Sequence, residues 1–191
     1  NALSPSAVVT TASEGTLDIE ASQNISTLTN SGALNIATGV TLTQTGTAAS
    51  VIGGSITGPG IYTFNDSTSA MAVTWGSDIS GFTGVVNVTD VASFTVEDPN
   101  LLTAGTFNIA TGKSISLEPT FDQILGAATL TTTGTGKLEI NPDGGIAVTV
   151  DTGSDIYGVT NIDITQGLLK VTGSNALSPS AVVTTASEGT L

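Results

Sequence analysis

The chain contains no cysteine, no histidine and no arginine, and these absences remove more functions than any motif in it adds. Without cysteine there is no disulfide framework, no thiolate nucleophile and no thiolate metal site. Without histidine the usual general base near neutral pH is gone. Without arginine, so is the side chain that clamps an anion through two parallel hydrogen bonds. Basic charge is scarce too: three lysines, Lys113, Lys137 and Lys170, stand against 16 acidic residues, for a formal net charge of -13. Such a surface repels phosphate backbones and forms no basic track, so nucleic acid is not expected as a partner. No apolar run approaches the ~18 residues that span a bilayer, and no membrane insertion of this segment is expected. The first residue is Asn rather than a Met with a leader behind it, which reads as a segment cut from something longer.

What is present is small and β-branched. Ser, Thr, Gly, Ala and Val dominate, aromatics are 4% and hydrophobic residues 39% of 191, enough to fill a core. Threonine and valine suit pleated surfaces, so the composition points to an all-β chain. Short alternating segments follow one another, separated by Gly, Asn, Asp and Ser. Examples are Gly15–Ile19, Gly32–Ile36, Val40–Gln44, Gly60–Phe64, Met71–Trp75, Gly105–Ile109, Gly136–Ile140 and Gly167–Val171. None has a helical period.

The chain also repeats itself. Asn1–Leu17, NALSPSAVVTTASEGTL, returns unchanged at Asn175–Leu191, a period of 174 residues. Residues 1–174 therefore form one full tandem unit, and 175–191 open the next identical one. Within the unit, Gly-x-apolar-x-apolar starts at Gly15, Gly32, Gly105, Gly136, Gly167 and Gly189, and GALNIATG at Gly32–Gly39 is echoed by GTFNIATG at Gly105–Gly112. A strand with one apolar face cannot bury it alone, whereas units stacked in register cover one another. A right-handed parallel β-helix, a β-solenoid, meets this requirement. With ~20–25 residues per turn, the period would hold about 7–9 turns and measure roughly 35–45 Å. The alternative is a tandem Greek-key β-sandwich, which also has turn signals every ~8–12 residues.

The segments GLLKV (Gly167–Val171), GSNALSPS (Gly173–Ser180), SAVVTT (Ser180–Thr185) and EGTL (Glu188–Leu191, continuing as EGTLDI at Glu14–Ile19) lie in the order of a known pattern. They resemble the autotransporter-associated β-strand repeat, in which a G-x-L-x-V strand leads through a G-N-A-L-G loop to a V-V-T-V strand and then G-G-T-L-D-L. The resemblance implies the passenger domain of a bacterial type V secreted surface protein: a parallel β-helix displayed from the outer membrane, or secreted. Its role would be an extracellular stalk or spacer, with adhesion or aggregation as a further one. The alternative is a glycan- or calcium-binding adhesin module. The family repeats carry no shared catalytic residues, so none is transferred.

The remaining motifs read as structure. TGKS at Thr111–Ser114 resembles the end of a phosphate-binding loop but has Phe107 where that loop needs glycine, and reads as a turn before a strand. Asp18 with Glu20 and Glu97 with Asp98 are the tight acidic pairs, read as solvated outward positions rather than an acid/base couple. NPDGG (Asn141–Gly145) and DTGSD (Asp151–Asp155) place carboxylates in turns but match no calcium loop. The threonines of Thr41–Thr45 and Thr129–Thr133 read as solvent-facing strand residues, and the sequons at Asn24, Asn65 and Asn87 as chance matches. Trp75 alternates with Ala72 and Thr74 and is expected in the core with Met71 and Val73. No catalytic, metal or cofactor-binding residue is assigned, no cofactor is expected, and the chain is not read as an enzyme. The expected partners are neighbouring repeats stacked end to end, self-association through exposed strand edges, and a surface ligand of unknown identity.

Overall fold

The computed structural model describes residues 2–191, all β apart from one 3-10 turn at Pro99–Leu101. Every strand pairing in it is parallel, which excludes the Greek-key sandwich. The chain winds as a β-solenoid with three faces. The first coil shows the plan: Val8–Thr11 lies on face one, Thr16–Ile19 on face two and Gln23–Ile25 on face three. The next coil repeats it with Thr27–Asn30, Ala33–Ile36 and Thr41–Gln44.

Face one is a continuous stack of nine strands. One outward column runs through Thr10, Thr29, Val51, Thr74, Thr95, Ser116, Glu139, Asp163 and Thr184, each hydrogen-bonded in register with the next. Successive rungs are 19, 22, 23, 21, 21, 23, 24 and 21 residues apart and close on the 174-residue period. The period is thus a whole number of coils, eight. At ~4.8 Å per coil it is a rod segment of about 38 Å.

Alternation decides which side chains enter the core. On face one Leu28, Val73, Phe94, Ile115, Leu138 and Ile162 point inward, and on face three Leu42, Tyr62, Val86, Phe107 and Leu130; all are buried. Trp75 is fully buried, as its alternation with Ala72 and Thr74 predicts, and stacks on Phe94 at 5.6 Å with Phe107 edge-on at 5.4 Å. Tyr62 and Phe64 complete this cluster, which gathers five of the chain's eight aromatic rings in its middle coils.

Face two is interrupted once. Its strands run through Ser55–Gly58 and Asp78–Phe82, give way to the 3-10 turn, and resume at Gln123–Ile124, Ala147–Val150 and the second half of Asn161–Val171. Pro99 explains the gap, because a residue without an N–H cannot extend a ladder on both sides. Asn161–Val171 itself runs across a corner, pairing with Lys137–Ile140 through Ile162–Ile164 and with Ala147–Val150 through Leu168–Val171.

The Gly-x-apolar-x-apolar units stack on one another only in part: the Gly15 unit lies in register with the Gly32 unit and Gly189 with Gly167, whereas those at Gly105 and Gly136 stand on other faces. Gly15 and Gly32 precede strands of face two, Gly105 a strand of face three, and Gly136 a strand of face one. The motif marks the join between a corner and any strand. The echo of IATG has the same origin: Val40 N–H donates to the Ala37 carbonyl and Lys113 N–H to the Ala110 carbonyl, with Gly39 and Gly112 at φ +71° and +74° in the same turn.

Candidate functional site

The sequence assigns no reactive residue, which leaves the surfaces that the coils create. On face three the outward side chains hydrogen-bond along the rod axis. Asn87 Nδ2 donates to Thr63 Oγ1 (3.3 Å), Asn108 Nδ2 to Asn87 Oδ1 (3.0 Å) and Thr131 Oγ1 to Asn108 Oδ1 (2.7 Å). Face two has a shorter ladder, in which Asn35 Nδ2 donates to Asp18 Oδ1 (2.8 Å) and Thr57 Oγ1 to Asn35 Oδ1 (3.2 Å). Parallel stacking places like residues about 4.8 Å apart, which an amide or hydroxyl spans with one hydrogen bond. In the Thr-rich stretches Thr41, Thr43, Thr129 and Thr131 face outward and are half-buried between the coils above and below, whereas Thr132 stands in the inward register of Ile109 and Thr133 is exposed.

The densest polar cluster sits at a corner that the sequence reading did not single out. The Asp66 carboxylate accepts the N–H groups of Thr68 (3.0 Å), Ala70 (2.7 Å) and Met71 (2.9 Å) and the Thr68 hydroxyl (2.8 Å). The Thr68 amide is the main reason its carboxyl is held below the ordinary range, against the opposing effect of burial. Within the same turn Ser69 takes φ +53°, and its hydroxyl donates to Asp90. Lys113 Nζ binds Asp90 Oδ1 at 2.5 Å, Ser69 Oγ at 2.8 Å and the Val91 carbonyl at 3.3 Å. The hydrogen bond from Lys113, then that from Ser69, holds the Asp90 carboxyl down. The lysine of TGKS is therefore tied by three acceptors, its turn runs into the strand Ser114–Leu117, and the segment cradles no phosphate.

A second internal relay joins Tyr62 to Gln44 and Ser50. The phenol donates to Gln44 Oε1 (2.7 Å), Gln44 Nε2 to Ser50 Oγ (2.7 Å) and Ser50 Oγ to the Leu28 carbonyl (2.5 Å). All three residues are buried, and burial drives the Tyr62 phenol well above its usual pKa. The arrangement satisfies polar groups inside the rod and has no opening to a substrate.

The other sequence-selected residues are dispersed. Asp18 and Glu20 are exposed, as is Glu97, but Asp98 is half-buried and accepts Gln123 Nε2 at 2.9 Å. In NPDGG the turn is Asp143–Ile146, closed by the Ile146 N–H on the Asp143 carbonyl, with Gly145 at φ +86°. In DTGSD, Asp151 Oδ1 accepts the Gly153 N–H (2.7 Å), and Asp155 Oδ2 accepts the Thr129 hydroxyl (2.8 Å). Asn24 and Asn65 are exposed, whereas Asn87 belongs to the face-three ladder. Among the described residues, no three acidic side chains converge closely enough to hold a metal ion.

What remains open is the end of the rod. Val8–Thr11, Thr16–Ile19 and Gln23–Ile25 each terminate their sheet, so three strand edges lie side by side at one end. A cleft of about 400 Å³ lies there, lined by Ala2, Leu3, Leu17, Ile19, Ala21 and Gln23, with Asp18 and Glu20 beside them. No protein-family model, no curated protein and no solved structure matches this chain.

Proposed function

We propose that the chain is a structural repeat of a large bacterial cell-surface protein of the autotransporter type, displayed from the outer membrane or secreted. In this reading it acts as an extracellular stalk or spacer, with adhesion or aggregation as a further role. The observation that carries it is the closure of eight coils on the 174-residue period. A copy that starts again at Asn175 begins on the face where its predecessor began, so copies join into one rod without a linker. The resemblance of Gly167–Leu191 to the autotransporter β-strand repeat supports the cellular setting. The acidic surface supports it as well, since net charge far from zero keeps stacked rods soluble.

The mechanism is mechanical. Backbone hydrogen bonds run along the rod, apolar side chains stack inside it, and the ladders on faces two and three tie the outer surface in the same direction. Length grows by repetition, without new chemistry.

Small-angle scattering on chains carrying one and two copies tests the spacer role. The expected result is a rod of unchanged cross-section that lengthens by about 38 Å per added copy. Two beads on a flexible tether would refute it. The cellular setting is tested separately: antibodies to this chain should label intact source cells, and external protease should remove the signal. Labelling only after lysis would refute the surface location.

A further inference from the structure

The two copies of the seventeen-residue segment share a serine turn and then differ: Ala12–Gly15 is a turn closed by the Gly15 N–H on the Ala12 carbonyl, whereas the second copy runs as one strand, Val182–Thr190. Ser4 and Ser6 share a 2.9 Å hydroxyl contact that Ser178 and Ser180 repeat at 2.9 Å, and the Ser6 and Ser180 amides each donate back to the preceding serine hydroxyl at 3.3 Å. Both copies also occupy the same place on the plan, Val8–Thr11 and Val182–Thr185 being rungs of one face eight coils apart.

They are covered from opposite sides. The first copy is overlaid by coil two, which buries Thr11, while Ala2 stays exposed. The second starts on coil seven, where Leu177 pairs with Ile156 and Ala176 is buried, and then rests on coil eight through Val182–Thr190, while Thr185 is exposed and Leu191 is 61% exposed. Each copy therefore has one free side, and the free side of one is the occupied side of the other.

The second copy also covers coil eight incompletely. Its register on face two runs Gly189 to Gly167 and Thr190 to Leu168. Carried forward with the first copy's sequence, that register sets Leu17 on Leu169, Asp18 beside Lys170 and Ile19 on Val171. Val171 is an inward position that lacks a cover and is 37% exposed, whereas Ile19, with Ile36 stacked on it, is 3% exposed. Lys170 is exposed and, among the described residues, makes no ion pair. An apolar gap beside a single positive charge thus faces the continuation that residues 18 and 19 would supply.

We propose that the open edge of coil one binds coil eight of a second copy of this chain by segment exchange, residues 1–17 of one molecule replacing residues 175–191 of the other. The exchange offers the same side chains in the same order as the displaced segment, with Val8–Thr11 taking the register of Val182–Thr185. It adds the Asp18–Lys170 pair and the cover over Val171, and it pairs the open edges of Val8–Thr11 and Thr16–Ile19. The contact is heterologous and leaves a free edge at each end, so it propagates head to tail into filaments rather than closing as a dimer. It does not depend on where the protein acts.

The chain's lack of cysteine makes the test direct. Asp18→Cys and Lys170→Cys introduced together place thiols at neighbouring rungs of adjacent molecules, about 4.8 Å apart and within disulfide reach. Within one molecule the same positions are seven coils apart, about 34 Å. Mild oxidation of the folded double variant should give a ladder of dimers, trimers and longer species on non-reducing gels, while each single variant stops at dimer. A double variant that also stops at dimer would overturn the proposal, and so would stacking without exchange, which leaves the two thiols about two coils apart. As a second readout free of thiols, Lys170→Glu should weaken concentration-dependent association in sedimentation roughly fivefold, about what one exposed ion pair supplies. Asp18→Lys in the same chain should restore it. Equal association of all three chains, or a strictly monomeric parent chain, would count against the exchange.

Discussion

Replacing Trp75 probes the core where it is largest and least symmetric. The side chain is fully buried among Tyr62, Phe64, Phe94 and Phe107, with ring centroids 5.4–6.3 Å away. A tryptophan buries ~150–250 Å². At ~25 cal/mol per Å² its removal from water is worth about 4–6 kcal/mol. Trp75→Ala should therefore cost about 4 kcal/mol, within the range found for large-to-small changes in packed cores. The indole N–H is buried without an acceptor, a standing cost of ~1–3 kcal/mol. Trp75→Phe removes that unpaired donor while keeping a ring against Phe94, so its net cost should be below about 1.5 kcal/mol, far less than the alanine change. Urea unfolding followed by far-UV circular dichroism measures both variants without relying on the chain's single tryptophan. If phenylalanine cost as much as alanine, the unpaired indole would not be a standing penalty and the account of this cluster would fail.

Three further outcomes follow from the geometry. Gly54 lies at φ +68°, and a Cβ built there would stand 2.0 Å from the Gly32 carbonyl oxygen of the coil below, while Gly39 at φ +71° faces open space. Gly54→Ala should cost about 3 kcal/mol or more and Gly39→Ala only about 1–2 kcal/mol, and equal costs in urea titrations would rule out close coil approach at Gly54. Asn108→Ala breaks two rungs of the face-three ladder and should lower stability by about 1–2 kcal/mol, whereas no change would mean the ladder is decorative. Asp66 has a folded pKa below its unfolded one, so its contribution is complete above the ordinary carboxylate value and is lost as pH falls through the depressed one. Asp66→Asn should flatten the decline of the urea midpoint in that acidic window, and an unchanged slope would show that the nest around Asp66 does not favour the charged form.

The fold was legible because its determinant is one-dimensional. Alternation in Gly32–Ile36 or Met71–Trp75 names the inward residues directly, and the 174-residue period with ~20–25 residues per turn anticipates the eight coils observed. Which strand stacks on which was less legible. The Gly-x-apolar-x-apolar signal marks a strand leaving a corner: at Gly15, Gly32, Gly167 and Gly189 that strand lies on face two, but at Gly105 it lies on face three and at Gly136 on face one, so the motif alone does not name the face. Short strands such as Gln23–Ile25, Ser50–Ile52 and Asp155–Gly158 were missed for a related reason: three or four residues next to a corner show too little alternation to stand out, and the stack of neighbours makes them strands. The polar cluster at Asp66, Asp90 and Lys113 joins residues of successive coils, 23 apart for Lys113 and Asp90, a separation no local pattern reports. TGKS drew notice to Lys113 but gave no sign of its partners, which lie in the two preceding coils.

A period that is a whole number of coils has a consequence for how such a rod changes over generations. Identical stretches of sequence are where copies are gained and lost by recombination, and a period holding a fractional number of coils would set the chain on another face at each such event. With 174 residues and eight coils, the chain after the join finds every face where it was. A rod of such copies would change length in steps of about 38 Å with every later coil keeping its face.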